Sequence, residues 1–408
     1  MLLWLVGYLQ NIFEYKIPTV FSYSSTRMLL AALTSLLFTI FLGPWFIRKL
    51  YQLKIGQCIR SAEECPVLAQ LHEKKKDTPT MGGILILLAM LLSLFLWMDW
   101  AHIFTWILCV TTIALGTIGA IDDYLKLKYK NSKGLKSRKK FLLQLLFASL
   151  FATYLLVPAV SSFVGKKIPP PTAKEQIVKQ LPKAKKTTIE VKTLTTKEYI
   201  SRIYVPFVKG PLFLWKGWLV ILAFIWILFV VIGSSNAVNL TDGLDGLAAG
   251  SLMMASLALA FFAFVSNHID LARYLNILYI EGSGEVGVYL CALAGASLGF
   301  LWYNGYPAQV FMGDTGSLAL GGILGVSAVL LKREVFLALV GGVFVAEALS
   351  VILQVVSYRF RNKKRIFLCA PLHHHFEYKG WAETKIVVRF WIISLLLALI
   401  GIASLKFQ

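Results

Sequence analysis

Apolar runs about as long as a bilayer is thick recur some ten times along this chain. They lie near residues 27–47, 82–100, 103–121, 141–160, 212–232, 247–265, 286–302, 317–331, 335–357 and 387–405. A hydrocarbon core of ~30 Å needs about 20 helical residues, and backbone groups inside it are satisfied only in helices or closed barrels. These runs are too long and continuous for barrel strands. They predict an all-α polytopic membrane protein, a bundle of about ten transmembrane helices. The eighth run is short and glycine-rich, which leaves a tilted or re-entrant element open. Lys332, Arg333 and Glu334 mark a tight turn before the ninth.

The 408 residues are 57% hydrophobic and 15% charged, which excludes a soluble globular protein. No long polar segment interrupts the hydropathy, so residues 1–408 are expected to form a single integral-membrane domain. The net charge of +20 resembles that of a nucleic-acid binder. Its lysines and arginines, however, lie in loops beside apolar runs, as the positive-inside rule and anionic head groups require. The bilayer is therefore the expected partner and nucleic acid is not. Cys58, Cys65, Cys109, Cys291 and Cys369 are scattered without CxxC spacing, which argues against a disulfide framework or a zinc site. Met1 to Gln10 is apolar but lacks the basic start of a cleavable signal, and reads as an interfacial segment.

Basic loops at Arg48–Lys76, 126–140 and 359–365 are assigned to the cytoplasm. The exception is residues 161–210, a long extracytoplasmic insertion between helices four and five. Its Pro169-Pro170-Pro171 run and its Thr/Lys/Val alternation (Thr187–Thr196) suggest an extended or small β-rich element. Long loops determine topology only weakly, so its lysines break no rule. Polar clusters follow runs one, three, five, seven and nine. Two crossings separate each neighbouring pair, so all five emerge on one face. A single cytoplasmic site assembled from five loops is the prediction.

The first cluster, Lys74-Lys-Lys-Asp-Thr-Pro-Thr-Met-Gly-Gly83, turns into the second span. Helix starts attract anions, and Lys75, five residues ahead of Thr80, is placed to reach a phosphate. The second is Asp122-Asp123-Tyr124, neighbouring carboxylates that repel unless a metal or cation holds them. Adjacent helical residues point about 100° apart, so one of the two is expected to face the site while the other caps or pairs with the basic run.

The third is Asn236-Ala-Val-Asn-Leu-Thr-Asp-Gly-Leu-Asp-Gly246, read as a tight glycine-punctuated connection between two spans. Its carboxyl and amide oxygens suit a hard cation or a ribose, although turn chemistry alone also favours these residue types. The fourth, Asn304 to Ser317, presents Asp314 in a Gly-Asp-Thr-Gly turn, with Phe311 able to stack on a base. The fifth is Pro371-Leu-His373-His374-His375-Phe-Glu377. Consecutive histidines cannot easily converge on one tetrahedral zinc, but they can donate to a polyphosphate or sugar. Together these parts suit Mg²⁺-assisted phosphoryl transfer from a nucleotide to a membrane-resident acceptor. Glu347, inside the ninth run, keeps a transporter reading open. Against it, transporter sites lie near the midplane whereas these clusters sit at one face. Glu347 is read as an internal hydrogen-bonding partner of neighbouring helices.

These five motifs, in order between matching spans, resemble the polyprenyl-phosphate hexosamine-1-phosphate transferases from about residue 25 onward. The uninterrupted His373-His374-His375 favours the muramoyl-pentapeptide branch over the related GlcNAc-1-phosphate enzymes. The resemblance implies transfer of phospho-MurNAc-pentapeptide from UDP-MurNAc-pentapeptide to undecaprenyl phosphate. Lipid I and UMP would be the products and Mg²⁺ the cofactor, in a homodimer of the bacterial cytoplasmic membrane. By position it implies Asp314 as the principal Mg²⁺ ligand. Asp122 and Asp123 would lie beside the acceptor phosphate, and Asp242 would be a further catalytic carboxylate. It also implies Lys75, Asn239, Asp245 and Phe311 on the nucleotide, and His373, His374 and His375 on the donor. The chain departs from the family in its longer insertion and in Asp77, where glycine is usual. Direct attack by the lipid phosphate is the expected mechanism, with Asp122 or Asp123 taking any residual proton; a covalent aspartyl intermediate is the rival.

Overall fold

Helices of bilayer length alternate in direction, so that their polar ends collect at the two faces of a bundle. The structure, a computed structural model, describes residues 19–53, 75, 78–129, 134–164, 168–180 and 187–407. Met1–Gln10, the loop between Leu53 and Lys75, Asp77 and parts of the insertion lie outside the described residues, as do Cys58 and Cys65.

Among the described residues, nine helices are long and apolar enough to cross a membrane. They belong to this order: α1 (Ser24–Gln52), α2 (Gly83–Trp97), α3 (Ile103–Lys128), α4 (Ser137–Leu156), α5 (Pro158–Val164), α6 (Thr196–Ile200), α7 (Val220–Thr241), α8 (Leu247–Ser266), α9 (Ile269–Tyr274), α10 (Ser283–Asn304), α11 (Gly313–Leu330), α12 (Glu334–Val340), α13 (Gly342–Phe360), α14 (Leu372–Tyr378) and α15 (Glu383–Ser404). The tenth expected span, α2, is a shorter apolar helix of 15 residues.

The eighth run is a continuous helix, α11, and it is the most deeply buried of all. At 18 residues it is about 27 Å long, close to the hydrocarbon thickness. Its glycines are explained by its neighbours: a Cβ on Gly321 would sit 2.5 Å from the Ser234 carbonyl, and one on Gly325 2.2 Å from the Ser234 hydroxyl. In lipid, where no hydrophobic drive joins helices, they associate through such small-residue contacts. The ninth run differs from expectation. It breaks at Gly341 into α12 and α13, so it is two helices rather than one.

Three helices extend through polar residues beyond the apolar runs. α3 continues past Asp122 and Asp123 to Lys128, α7 continues through Asn236 and Asn239 to Thr241, and Asp314 lies in the first turn of α11. Polar side chains did not end these helices because each found a partner. Asn236, for example, donates to the Ile232 carbonyl (2.8 Å) and to Gln144 Oε1 (2.9 Å). The chain leaves α7 only at Asp242, and Gly246, at φ +78°, caps the next helix in the left-handed region.

At the other end of the bundle, the insertion forms β1 (Ala173–Gln180), β2 (Thr187–Leu194), β3 (Arg202–Tyr204) and β4 (Pro211–Leu214). β1 pairs antiparallel with β2 and with β5 (Tyr279–Ile280), while β3 pairs with β4. Beneath them Lys332, Arg333 and Glu334 are all nearly inaccessible. The Arg333 guanidinium lies over the Phe262 and Tyr204 rings at 4.2 and 5.1 Å, and Lys332 pairs with Glu334 at 2.5 Å. The tight turn expected here is thus a buried charged knot.

A candidate active site where five helix ends meet

The core of the site is built by close backbone approach. Gly82 and Gly83 donate to the carbonyls of Phe311 and Met312 (both 2.8 Å), and Phe311 donates back to Pro79 (2.8 Å). The turn before α2 is thereby stitched to the start of α11. A Cβ on Gly83 would lie 2.2 Å from Gly316 N, and one on Gly119 of α3 would lie 2.3 Å from the Asp314 carbonyl. Only glycine permits either approach, and these approaches bring the carboxylates of α3 to the N-terminus of α11.

Asp122, Asp123 and Asp314 each offer an oxygen within 4.8 Å of the others. Both carboxylates of the pair are buried, at 1% and 2% exposure, and both reach the cluster, while the division of partners expected between them holds. They do diverge as helical geometry requires. Asp123 turns to α11, accepting from the backbone N–H groups of Asp314 (3.1 Å) and Thr315 (2.8 Å) and from the Thr315 hydroxyl (2.7 Å). Asp122 turns to the basic segment, accepting from Leu135 N (2.7 Å). Lys126 Nζ bridges Asp122 (2.7 Å) and Asp314 (2.9 Å), and Lys140 Nζ reaches Asp314 at 2.6 Å and Asp122 at 3.4 Å.

Neither lysine was singled out from the sequence. Lys126 was within reach of a local rule, since it sits four residues after Asp122 and three after Asp123 on one helix. Lys140 was not, because its contact with Asp314 spans 174 residues.

Asp242, just beyond the end of α7, is half-buried and close enough to the cluster to respond to it. Burial first, then repulsion from Asp314, Asp123 and Asp245, pushes its carboxyl up to about 7. Thr80 belongs to the same place: its hydroxyl and Asp123 Oδ2 flank Gly313. Asn239 joins α7 to the first turn of α11, accepting from the Ser317 hydroxyl at 3.1 Å.

A second group lies beside the first. Lys75 Nζ is 2.6 Å from both Asp245 Oδ1 and Glu383 Oε1, and Asp245 Oδ2 accepts from Ala308 N (3.0 Å). Glu383, at the start of α15, also accepts from Asp245 N (2.9 Å), and was not anticipated. Phe311 is half-buried between the groups.

The three histidines part company. His373 is inaccessible, and its Nε2 faces Gly243, where a Cβ would lie 2.2 Å away. His374 Nδ1 is 2.6 Å from Glu377 Oε2. His375 Nδ1 accepts from Leu368 N (3.1 Å) and its ring meets Phe367 edge-on. The structure therefore brings His373 to the Asp242 turn and sends its two neighbours into their own loop. Glu347 is an internal hydrogen-bonding partner of a neighbouring helix, as expected: its carboxylate accepts from the His373 backbone N–H and faces the ring.

Three convergent carboxylates are hard oxygen donors of the kind Mg²⁺ takes, and the two ammonium groups already lodged among them show that the place is made for positive charge. Fold and site together define a polytopic membrane transferase. Residues 105–332 match the family described as Glycosyl transferase family 4, and residues 75–87 match phospho-N-acetylmuramoyl-pentapeptide-transferase signature 1. The chain is similar to the phospho-N-acetylmuramoyl-pentapeptide-transferase of Protochlamydia amoebophila (strain UWE25), 66% identical over 411 residues that span all of both proteins. This chain belongs to the phospho-N-acetylmuramoyl-pentapeptide-transferase family.

Proposed function

We propose that this protein transfers phospho-MurNAc-pentapeptide from UDP-MurNAc-pentapeptide to undecaprenyl phosphate, releasing UMP and leaving lipid I in the membrane. The observation that carries this reading is the meeting of Asp122, Asp123 and Asp314 with Lys126 and Lys140 at the N-terminus of α11. Charge of both signs at a helix start suits a diphosphate and its metal, because the free N–H groups and the helix dipole favour anions.

Asp314, with Asp122 and Asp123 beside it, would hold Mg²⁺. When bound, the ion supplies charge neutralisation for the diphosphate and for departing UMP. The acceptor is a phosphomonoester whose second pKa is near 6, so it is already largely dianionic at neutral pH and needs little general-base help. Asp122 or Asp123 takes the residual proton. Lys126 and Lys140, which pair with these carboxylates, would offer their ammonium groups to phosphate oxygens. Asp242 completes the acidic wall. Lys75, Asn239 and Asp245 hold the nucleotide, with Phe311 against its base; Thr80 steadies the turn, and His373, with His374 and His375 behind it, meets the donor. The site faces the cytoplasm of a bacterial inner membrane, and the protein works as a homodimer.

Purified protein in detergent tests this directly. UMP should form from UDP-MurNAc-pentapeptide only when Mg²⁺ and undecaprenyl phosphate are both present. UDP-GlcNAc should be inert, which separates this reading from the sister hexosamine-1-phosphate transferases. Absence of UMP under these conditions would overturn it.

A further inference from the structure

Glu347 and His373 are both completely inaccessible, yet they belong to different helices and lie 26 residues apart. The chain brings them together by folding back along α13. Ile366 N and Phe367 N both donate to Gln354 Oε1 (3.0 Å), Gln354 Nε2 donates to the Phe367 carbonyl (3.1 Å), and the Ser357 hydroxyl donates to the Lys364 carbonyl (2.9 Å). The returning segment thus runs antiparallel to α13 until His373 reaches the level of Glu347. There Glu347 Oε1 accepts from the His373 backbone N–H at 3.2 Å, and Oε2 lies 3.2 Å from His373 Nδ1, off the line of a well-aligned hydrogen bond.

Like Nδ1, the ring's Nε2 has no aligned hydrogen-bond partner among the described residues. It is buried, and it faces Gly243, the residue after Asp242. A desolvated ring nitrogen left unpaired is unfavourable, and buried polar groups in folded proteins almost always find partners. Nδ1 is committed to the Glu347 side, so the partner of Nε2 must arrive from the site. His374 and His375 turn Nδ1 to Glu377 and to Leu368 N in their own loop.

We propose that Glu347 is a positioning residue for the transfer reaction: it anchors His373 by backbone and ring so that Nε2 donates to a phosphate oxygen of the donor diphosphate. This inference deepens the transferase reading and rests on it. A carboxylate behind the ring fixes its plane, and a ring with a hydrogen on both nitrogens has one N–H for each side. It also accounts for an acid buried in an apolar helix without invoking transport.

A double-mutant cycle tests it, with UMP release and thermal melting measured for each protein. Glu347→Gln should lower kcat on the order of 10–100-fold, the range typical of groups that orient a working histidine. In a His373→Gln background the same substitution should change kcat little, since there is no ring left to orient. Melting should show both proteins folded. Should Glu347→Gln fail to fold, Glu347→Asp, which keeps the charge and shortens its reach, enters the same cycle with the same two readings. Equal losses in the two backgrounds, or no loss in the first, would overturn the positioning role. A wild-type protein that releases no UMP would instead sink the transferase reading, and this inference with it.

Discussion

Asp123 holds Thr315 by two bonds at once: its Oδ2 accepts from the threonine backbone N–H at 2.8 Å and from its hydroxyl at 2.7 Å. Asp123 thereby caps the first turn of α11, one residue beyond Asp314, and ties the acidic end of α3 to it. Thr315→Val removes only the hydroxyl bond and keeps the branched shape. A buried acceptor then loses one partner, which costs about 1–2 kcal/mol, more than any gain from added apolar surface. Melting in detergent should fall by a few degrees and UMP release should drop, whereas Thr315→Ser should preserve both.

Gly119→Ala sets two effects against each other. In a helix interior alanine is favoured over glycine by about 1 kcal/mol. The new Cβ, however, would lie 2.3 Å from the Asp314 carbonyl, a backbone atom that cannot swing aside. Overpacking of this kind costs ~1–3 kcal/mol and shifts backbone, so the clash wins. The variant should melt lower than wild type and lose most activity, because the shift moves Asp314 away from Asp123.

Lys126→Met and Lys140→Met each take an ammonium from between carboxylates. In chelator the remaining acids repel one another more strongly, so both variants should melt below wild type. Mg²⁺ restores the missing charge and should raise their melting temperatures by more than it raises that of wild type. Differential scanning with and without Mg²⁺ measures this independently of turnover.

The raised pKa of Asp242 predicts a pH dependence of stability. A carboxyl held at about 7 when folded, above its ordinary value when unfolded, binds more protons in the folded state between about pH 4 and 7. Stability in chelator is therefore fully present below that window and is lost as pH rises through it. Asp242→Asn removes this contribution. The variant should melt above wild type at pH 8, and the difference should vanish near pH 4.

Hydropathy determined by itself that the apolar runs form a bundle of spanning helices, because backbone groups in hydrocarbon are satisfied only in helices or closed barrels and these runs are too long for barrel strands. Parity carried this further. Asp123 and Asp314 were placed on one face by counting crossings alone, and the structure sets their oxygens within one cation's reach. Periodicity could not say where helices would stop. Asn239 and Asp122 lie beyond the apolar runs, yet their helices continue through them because partners on α11 and α4 satisfied the side chains.

What only the tertiary structure decided are relationships between distant residues. Lys140 reads as one lysine among many in a basic loop until Asp314, 174 residues away, is beside it. Glu383, which looks like a solvated charge, meets Lys75 across 308 residues. Three equivalent-looking histidines become one buried ring aimed at Asp242 and two that serve their own loop. The physical reason is the same in each case. A residue's type and its neighbours in sequence fix which bonds it can make, but which of those bonds it does make depends on what packing has left within 3 Å of it.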